Sequence, residues 1–155
     1  MRKVSFFLNA FLLLIVLVSC DENRVYDSYV HVDNVDWNKD SIIEFDFHLD
    51  DTLSKNSVFL KIRNTVDYQY SNLYLFTAVT FPDGKVLRDT LEYEMTNAEG
   101  EWLGDGLSDV KNNLLFFKKN VIFYEKGDYI LTVQQGMRAE NLEGIKDVGL
   151  RIERE

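Results

Sequence analysis

One stretch decides the fold class of this chain: Ile43-Glu44-Phe45-Asp46-Phe47-His48-Leu49. Apolar and polar residues alternate at every position in it. Successive side chains of a β-strand point to opposite faces of a sheet, so this period of two predicts a strand with one buried and one solvated face. An amphipathic helix would repeat its apolar residues every three or four positions instead.

Similar reasoning predicts strands along most of the chain, over residues 58–63, 72–81, 86–95, 121–124, 128–134 and 148–152. Residues 72–81 are apolar on both faces, which predicts a central strand covered on two sides. The turn signal Pro82-Asp83-Gly84 predicts a hairpin over 73–95. Glu125-Lys126-Gly127 predicts a second hairpin between residues 121–124 and 128–134.

Helical signals are few. The sequence predicts a short helix over 108–118, with Ser108 as its N-cap, and one helical turn over 139–142. Many short strands separated by turns predict an all-β fold: an antiparallel β-sandwich, jelly-roll or Ig-like, with at most one or two short helices. A closed barrel is the alternative.

The N-terminus has the layout of a bacterial lipoprotein signal. Arg2 and Lys3 precede an apolar run that ends in Ser19 and Cys20. A transmembrane helix is the weaker interpretation because a span needs about 20 apolar residues, and an ordinary secretory signal with a chance cysteine is the other. We expect residues 1–19 to be a signal peptide, Cys20 to carry acyl chains, residues 20–28 to be a tether and residues 29–155 to form one domain.

Composition and charge narrow the partners. The net charge is −9, and cleavage of the leader would remove the positive charges of Arg2 and Lys3. A mature protein this acidic is repelled by phosphate groups, so nucleic acid is an unfavourable partner. Cys20 is the only cysteine, so no disulfide can form within one chain. A hydrophobic fraction of 46% is ample for a packed core. We therefore expect a folded envelope protein held to a membrane by its lipid.

Several short motifs together resemble a known family. In chain order they are Arg63-Asn64, Tyr68-x-Tyr70, Asn72-Leu73, Pro82-x-Gly84, Asp89-Thr90, Gly100-x-Trp102-x-Gly104-x-Gly106, Gly127-x-Tyr129, Met137-Arg138 and Leu142-x-Gly144-Ile145-x-Asp147-Val148-Gly149-x-Arg151. In these residues the chain resembles the gliding-motility lipoprotein GldH family. The resemblance implies an envelope lipoprotein of the gliding apparatus, functionally linked to type IX secretion, with partners among the envelope proteins of that machinery. It supplies no catalytic residues that can be carried over to this chain, and we expect no cofactor.

Asp89 is the first candidate site residue. It shares a strand face with Leu87, Leu91 and Tyr93, and a carboxylate on an apolar face needs a charged or hydrogen-bonding partner. Arg63 and Arg138 are the candidate partners, since a guanidinium can hold a carboxylate by two hydrogen bonds. A partner or ligand site, a structural ion pair and a bulge that turns Asp89 outward all remain open.

Two further segments are candidate interaction surfaces. Trp102 lies among Gly100, Gly104 and Gly106, where it either anchors a partner or folds back over the end of the sandwich. The segment 142–151 contains Asp147 and Arg151 and is either an interaction loop or a stretch whose glycines mark turns and close packing.

The remaining motifs favour a non-enzymatic protein. Tyr68, Tyr70 and Tyr74 form either a carbohydrate platform or part of the core, so a lipid-anchored carbohydrate-binding module is the alternative function. His31 and His48 lack metal-ligand spacing, and no catalytic motif is present in the sequence. We therefore expect no enzymatic activity and no metal, with the protein attached to the cell envelope, at the periplasmic face or surface of the outer membrane.

Overall fold

The computed structural model describes residues 22–155, which form ten β-strands and one short 3₁₀ helix, Asp33–Val35. The strands are β1 (Arg24–His31), β2 (Asp36–Asn38), β3 (Ile43–Leu49), β4 (Asn56–Thr65), β5 (Asn72–Thr80), β6 (Val86–Glu94), β7 (Val110–Val121), β8 (Gly127–Gln135), β9 (Asn141–Glu143) and β10 (Ile145–Arg154). None of the described residues forms a helix long and apolar enough to span a membrane.

Eight of the strands form two stacked antiparallel sheets. The first sheet has the order β1-β10-β4-β7 and the second has the order β3-β8-β5-β6. Strands are paired in a nested way, β1 with β10, β3 with β8, β4 with β7 and β5 with β6. This nested pairing is that of a jelly roll, so the prediction of an all-β antiparallel sandwich is confirmed and its jelly-roll form is the correct one.

The core lies between the two sheets and follows the period of two. In β3 the residues Ile43, Phe45, Phe47 and Leu49 are all buried, while the residues between them are exposed. Tyr129 of β8 is fully buried, with its ring 5.6 Å from the stacked ring of Phe47, and its hydroxyl donates a hydrogen bond to the Glu125 carbonyl (2.7 Å). Burying an aromatic side chain is favourable when its polar tip finds such a partner.

A small ribbon of β2 and β9 closes one end of the sandwich. Trp37 of β2 is 1% exposed, and its indole nitrogen donates a hydrogen bond to the Ser41 carbonyl (2.9 Å). Leu142, its register partner in β9, is also fully buried.

Both predicted helical segments are wrong. Residues 110–121 form β7, which pairs with β4 over most of its length, and residues 141–143 form β9. The Ser108 hydroxyl does accept a hydrogen bond from the amide of Val110 (3.4 Å), but it does so in a turn that leads into a strand. Pairing with β4 outweighs the weak local helical pattern.

The second predicted hairpin is also wrong, and so is the double cover of residues 72–81. β7 and β8 flank the segment 122–126, but they belong to different sheets, so the chain crosses the sandwich there. β5 is interior in its sheet but buried on one face only, with Tyr74 and Phe76 of the other face 36% and 48% exposed.

The predicted tether is too long. β1 begins at Arg24, so part of the segment 20–28 pairs with β10 as an edge strand. A register shift between Arg24 and Tyr26 interrupts the alternation there, which explains why this segment lacks a clear pattern in the sequence.

Gly144 and Gly84 form a matched pair for testing the packing of the β9–β10 turn. Both have positive φ, +90° and +85°, so alanine is strained at each. A Cβ at Gly144 would lie 2.5 Å from the Tyr68 amide nitrogen, whereas a Cβ at Gly84 meets nothing within 4 Å. We expect Gly84→Ala to lower the free energy of unfolding by about 1 kcal/mol and Gly144→Ala by about 3 kcal/mol more. Urea denaturation curves measure both, and equal losses would contradict the close approach.

Candidate functional site

The outward face of the first sheet carries a continuous cluster of titratable side chains. We call it the charged face, and it consists of Asp27 and His31 of β1, Asp147 and Arg151 of β10, and Lys61 and Arg63 of β4. Strand register brings them together, because His31 is opposite Asp147, which is opposite Arg63. Asp27 is likewise opposite Arg151 in the row at the other end of the cluster.

Asp27 is the centre of one half of the charged face. Lys61 donates a hydrogen bond to its Oδ1, and Arg151 Nη1 donates one to its Oδ2 (2.8 Å). The side chains of Asp27, Lys61 and Arg151 are only 16%, 12% and 22% exposed. Burial raises the pKa of Asp27, but the hydrogen bonds and charges of Lys61 and Arg151 outweigh it and hold that pKa below its ordinary value.

Asp147 is the centre of the other half. His31 Nδ1 lies 2.9 Å from its Oδ1, and Arg63 Nη1 lies 3.1 Å from its Oδ2. The side chain is 10% exposed, and Oδ2 accepts no well-directed hydrogen bond from the described residues. Arg63 is further held by Asn112 of β7, whose side-chain oxygen accepts a hydrogen bond from Nε (3.1 Å). Electrostatic attraction to Arg63 therefore compensates for the burial of this carboxylate.

Tyr29 lies between the two halves. Its ring covers the Lys61 ammonium, which is 3.8 Å from the ring centroid, a distance typical of a cation–π contact. Gly149 allows this position, since a Cβ there would be 2.7 Å from Tyr29 Cδ1 and 2.7 Å from the Ser28 carbonyl oxygen. The small residue opposite Tyr29 lets the ring lie against the sheet.

An apolar strip adjoins the charged face on the edge strand β7. Leu114 and Phe116 are 56% and 48% exposed, and they are in register with Lys61 and Phe59 of β4. The rings of Phe59 and Phe116 meet edge-on with centroids 5.5 Å apart. A surface that combines Arg, Tyr and Phe with an apolar strip has the composition of protein–protein interfaces.

Three of the sequence-predicted candidates, Arg63, Asp147 and Arg151, are part of the charged face. Sequence reasoning missed Asp27, Lys61 and Tyr29 as site residues. Lys61 was identifiable as an outward residue of an alternating strand, but Asp27 and Tyr29 lie where the sequence pattern gives no sign of a strand.

Asp89 lies elsewhere, and its predicted partner is wrong. It occupies the inward-facing side of β6, as its position beside Leu91 and Tyr93 indicates, and the β5–β6 register is regular, so no bulge turns it outward. It pairs with Lys118 (2.6 Å) instead of with Arg63 or Arg138. The hydrogen bond from Lys118 holds the pKa of Asp89 below its ordinary value.

Trp102 folds back against the end of the sandwich. It is partly buried against the core, pairs with Thr96 in an isolated bridge and lies 6.4 Å from the ring of Tyr68. The Gly-rich loop is thus part of the packing at this end of the fold, and Gly104 sits so close to buried Asn113 that a Cβ would be 2.5 Å from Asn113 Oδ1.

Arg138 and two of the three candidate tyrosines line a shallow depression of about 410 Å³. Tyr70 and Tyr74 are 41% and 36% exposed, and Arg138 is exposed. Tyr68 belongs to the core: it is 3% exposed, and its hydroxyl donates a hydrogen bond to the Asn72 carbonyl (2.7 Å). Since the rings of Tyr68 and Tyr70 are inclined by 63°, they do not form a coplanar platform.

The remaining candidates carry no metal site within residues 22–155, where no three His, Asp or Glu side chains are close enough to hold an ion. His48 pairs with Asp128 (2.6 Å), and that hydrogen bond raises the pKa of His48. Asp51 accepts hydrogen bonds from Ser54 and from the Leu53 amide, which lower its pKa to about 2. Cys20 lies outside the described residues.

Comparisons with known proteins place this jelly roll in a protein class. A family model described as GldH lipoprotein matches residues 24–152. The gliding motility lipoprotein GldH homolog of Christiangramia forsetii is 47% identical over 148 residues, covering 91% of this chain and 90% of its own length. The gliding motility lipoprotein GldH of Flavobacterium johnsoniae is 40% identical over 146 residues, with 90% of each chain covered. A carbohydrate-binding module specific for non-crystalline cellulose superposes with a TM-score of 0.46 at 8% identity, over 83% of this chain and 73% of that one.

These matches define the class as lipoproteins of gliding motility. The chain belongs to the GldH lipoprotein family. The resemblance inferred from the sequence motifs is thereby confirmed, together with the lipoprotein character that the leader indicates.

The lowered pKa of Asp27 makes a prediction about acid stability. A carboxyl group with a depressed folded-state pKa stabilises the fold above its unfolded-state pKa and loses that contribution as the pH falls through the folded-state value. We expect Asp27→Asn to be less stable than wild type by about 1–2 kcal/mol at pH 7. The difference should shrink as the pH falls from 5 to 3.

Urea denaturation at pH 7, 5 and 3 measures this difference, with Asp46→Asn on the exposed face of β3 as the control. The control variant should follow wild type at all three pH values. An Asp27→Asn difference that stays constant down to pH 3 would contradict the assigned role of Asp27.

Proposed function

We propose that this protein is a non-enzymatic structural subunit of the gliding apparatus that docks other envelope proteins of the gliding and type IX secretion machinery through its charged face. In this proposal an acylated Cys20 holds it to the outer membrane. The observation that carries the proposal is the charged face itself: a rigid, internally paired cluster on an open sheet face with an apolar strip beside it.

The pairing within the charged face supports recognition of a protein. Asp27 and Asp147 each contact two basic groups, so the side chains are fixed before any partner arrives and lose little conformational freedom on binding. Arg and Tyr are enriched among residues that dominate binding energy. Here Arg63 is on β4, the strand next to the apolar strip, and Tyr29 packs over Lys61 of the same strand. A protein partner with complementary charges and an apolar contact for Leu114 and Phe116 fits this surface.

The same pairing supports a role without catalysis. A general acid or base needs a carboxyl group with access to a substrate and a pKa tuned towards the working pH. Asp27 has a lowered pKa and is held by Lys61 and Arg151. The carboxyl groups of the charged face are thus engaged in structure.

Acylation at Cys20 explains how such a body stays at a membrane. Each buried methylene contributes about 0.8 kcal/mol, and two or more acyl chains make a stable anchor. β1 begins at Arg24, so an anchor on Cys20 would hold the sandwich close to the bilayer surface.

The docking role is tested at the apolar strip. We expect Phe116→Asp and Leu114→Asp to weaken capture of gliding and secretion proteins by about tenfold or more, since a central interface side chain contributes about 2 kcal/mol. Cross-linking in intact envelopes followed by affinity capture and mass spectrometry measures the recovery. Leu53→Asp is the matched control, since Leu53 is 85% exposed in the loop between β3 and β4.

Recovery of the same partners in equal amounts from wild type and both strip variants would overturn the docking site. If wild type captures no gliding or secretion protein and its deletion leaves the motility machinery intact, the proposed function itself fails.

The anchor has its own test. We expect wild type to incorporate radiolabelled palmitate and to accumulate as a larger precursor in globomycin, because lipoprotein processing requires an acylated cysteine. Cys20→Ala should show no label, while Ser28→Ala in β1 should label normally. Palmitate incorporation that persists in Cys20→Ala would contradict acylation at this residue.

A second function, carbohydrate binding, is favoured by one observation. Tyr70, Tyr74 and Arg138 line a depression in which sugar rings would meet two exposed aromatic faces and a guanidinium. We expect any glycan that binds there to lose most of its affinity with Tyr74→Ala and none with Tyr124→Ala, whose side chain is 81% exposed away from the depression. A glycan array with no hits for wild type would eliminate this function.

A further inference from the structure

An apolar cavity of about 350 Å³ lies between the two sheets. We call it the inter-sheet cavity. Its lining comes from both sheets and from the crossover after β7, and includes Val79, Leu87, Asp89, Lys118, Tyr124 and Leu150. Protein cores are close-packed, and unfilled apolar volume of this size is costly to stability, so a cavity that persists favours an apolar occupant.

The walls of the inter-sheet cavity are suited to a chain of methylene groups. Asp89 and Lys118 are its only charged lining residues within the described part of the chain, and they pair with each other (2.6 Å). A peptide segment in this cavity would bury backbone N–H and C=O groups without partners, which is unfavourable. A hydrocarbon chain has no such groups.

The cavity opens on the side where the two sheets are not joined. β6 and β7 are both edge strands, one in each sheet. Leu87 and Tyr124 are 53% and 81% exposed, which marks the mouth, while Leu131 and Leu150 at the inner end are buried. A register shift in the β4–β7 pair near Val58 turns both Phe117 and Lys118 towards the cavity.

The mouth lies at the end of the sandwich where the described chain begins. The Asn23 carbonyl accepts a hydrogen bond from the Arg154 amide (2.7 Å), and Asn56, near the same end, is in register with Val121. Cys20 is three residues before Asn23, a distance of at most about 11 Å along an extended chain. In a protein of a lipoprotein family, the end next to the acylated cysteine is the one that faces the bilayer.

We propose that the inter-sheet cavity binds one fatty acyl chain of a membrane phospholipid, with the head group near Lys118. A water molecule occupies about 30 Å³ and a methylene group is of similar size, so the cavity has room for roughly ten methylenes. Lys118 is 42% exposed and can exchange its contact with Asp89 for a lipid phosphate. This inference rests on acylation at Cys20, and it is independent of the charged face.

We assign the bound acyl chain to a separate phospholipid because the polypeptide begins at the opposite edge of the first sheet from the mouth. β1 and β7 are at opposite edges of the first sheet, three strand spacings or about 14 Å apart. An acyl chain on Cys20 would enter the bilayer near the β1 edge of this end, whereas a phospholipid beside the β6–β7 edge would lie next to the mouth.

The test uses the full lipoprotein in vesicles that contain a phosphatidylethanolamine with a diazirine in one acyl chain. After photolysis, mass spectrometry of peptides locates the adducts. We expect adducts within residues 79–89 and 117–124. Val79→Phe, which fills the cavity, should reduce them at least fivefold, and Ala78→Phe, on the outward face of the same strand, should leave them unchanged.

Leu87→Asp keeps the test decisive if Val79→Phe does not fold, because Leu87 is exposed and a carboxylate at the mouth should reduce the adducts to a similar extent. In a second arm, cells are fed a diazirine fatty acid and the lipoprotein is moved to unlabelled vesicles, so only its own anchor is labelled. Cavity adducts from the vesicle lipid support the proposal. Cavity adducts only from the anchor, adducts only on outward residues, or no adducts would overturn it, while partner capture through the charged face would be unaffected.

Discussion

The arrangement of the whole fold depends on the pairing of β10 between β1 and β4. Its inward residues Val148, Leu150 and Ile152 are fully buried in the core, and its outward residues Asp147, Gly149 and Arg151 form the middle of the charged face. A slip of one residue in either pairing would exchange these two sets, placing charges in the core and aliphatic side chains in water. The same hydrogen bonds therefore fix both the core and the surface proposed to bind partners.

The charged groups also specify that register. Asp27 pairs with Lys61 and Arg151, and Asp147 pairs with Arg63 and His31, so each carboxylate links more than one strand. Ion pairs with low exposure contribute little net stability, because desolvation offsets the attraction, but a shifted register would leave each charge without its partner. Gly149 adds a steric condition, since only a residue without Cβ allows Tyr29 to lie against the sheet.

The sequence alone predicts the strands whose alternation is local and misses what depends on distant contacts. β3 has an unambiguous period of two, and the hairpin of β5 and β6 has Pro82 and Gly84 in its turn, so both are confirmed. Residues 110–121 have no comparable pattern, and only pairing with β4, some fifty residues earlier in the chain, makes them a strand. A turn at Gly127 indicates that the chain reverses, but it does not indicate that β8 joins the other sheet. For the site, parity places Asp89 on an inward face, yet its partner Lys118 becomes a neighbour only through the stacking of the two sheets.

The jelly roll separates the proposed surfaces in space. The charged face is the outer surface of the first sheet, where successive rows of side chains are about 7 Å apart along the strands. The mouth of the inter-sheet cavity lies at the edge formed by β6 and β7, towards the end where Arg24 begins β1. The proposed anchor on Cys20 would set this end next to the bilayer, so that the cavity would meet lipid while the charged face would stay open to proteins. β7 contributes to both surfaces. Its outward residues Leu114 and Phe116 form the apolar strip beside the charged face, and its residues Phe117 and Lys118 line the cavity. Lipid in the cavity and a protein on the charged face would therefore contact opposite sides of the same edge strand.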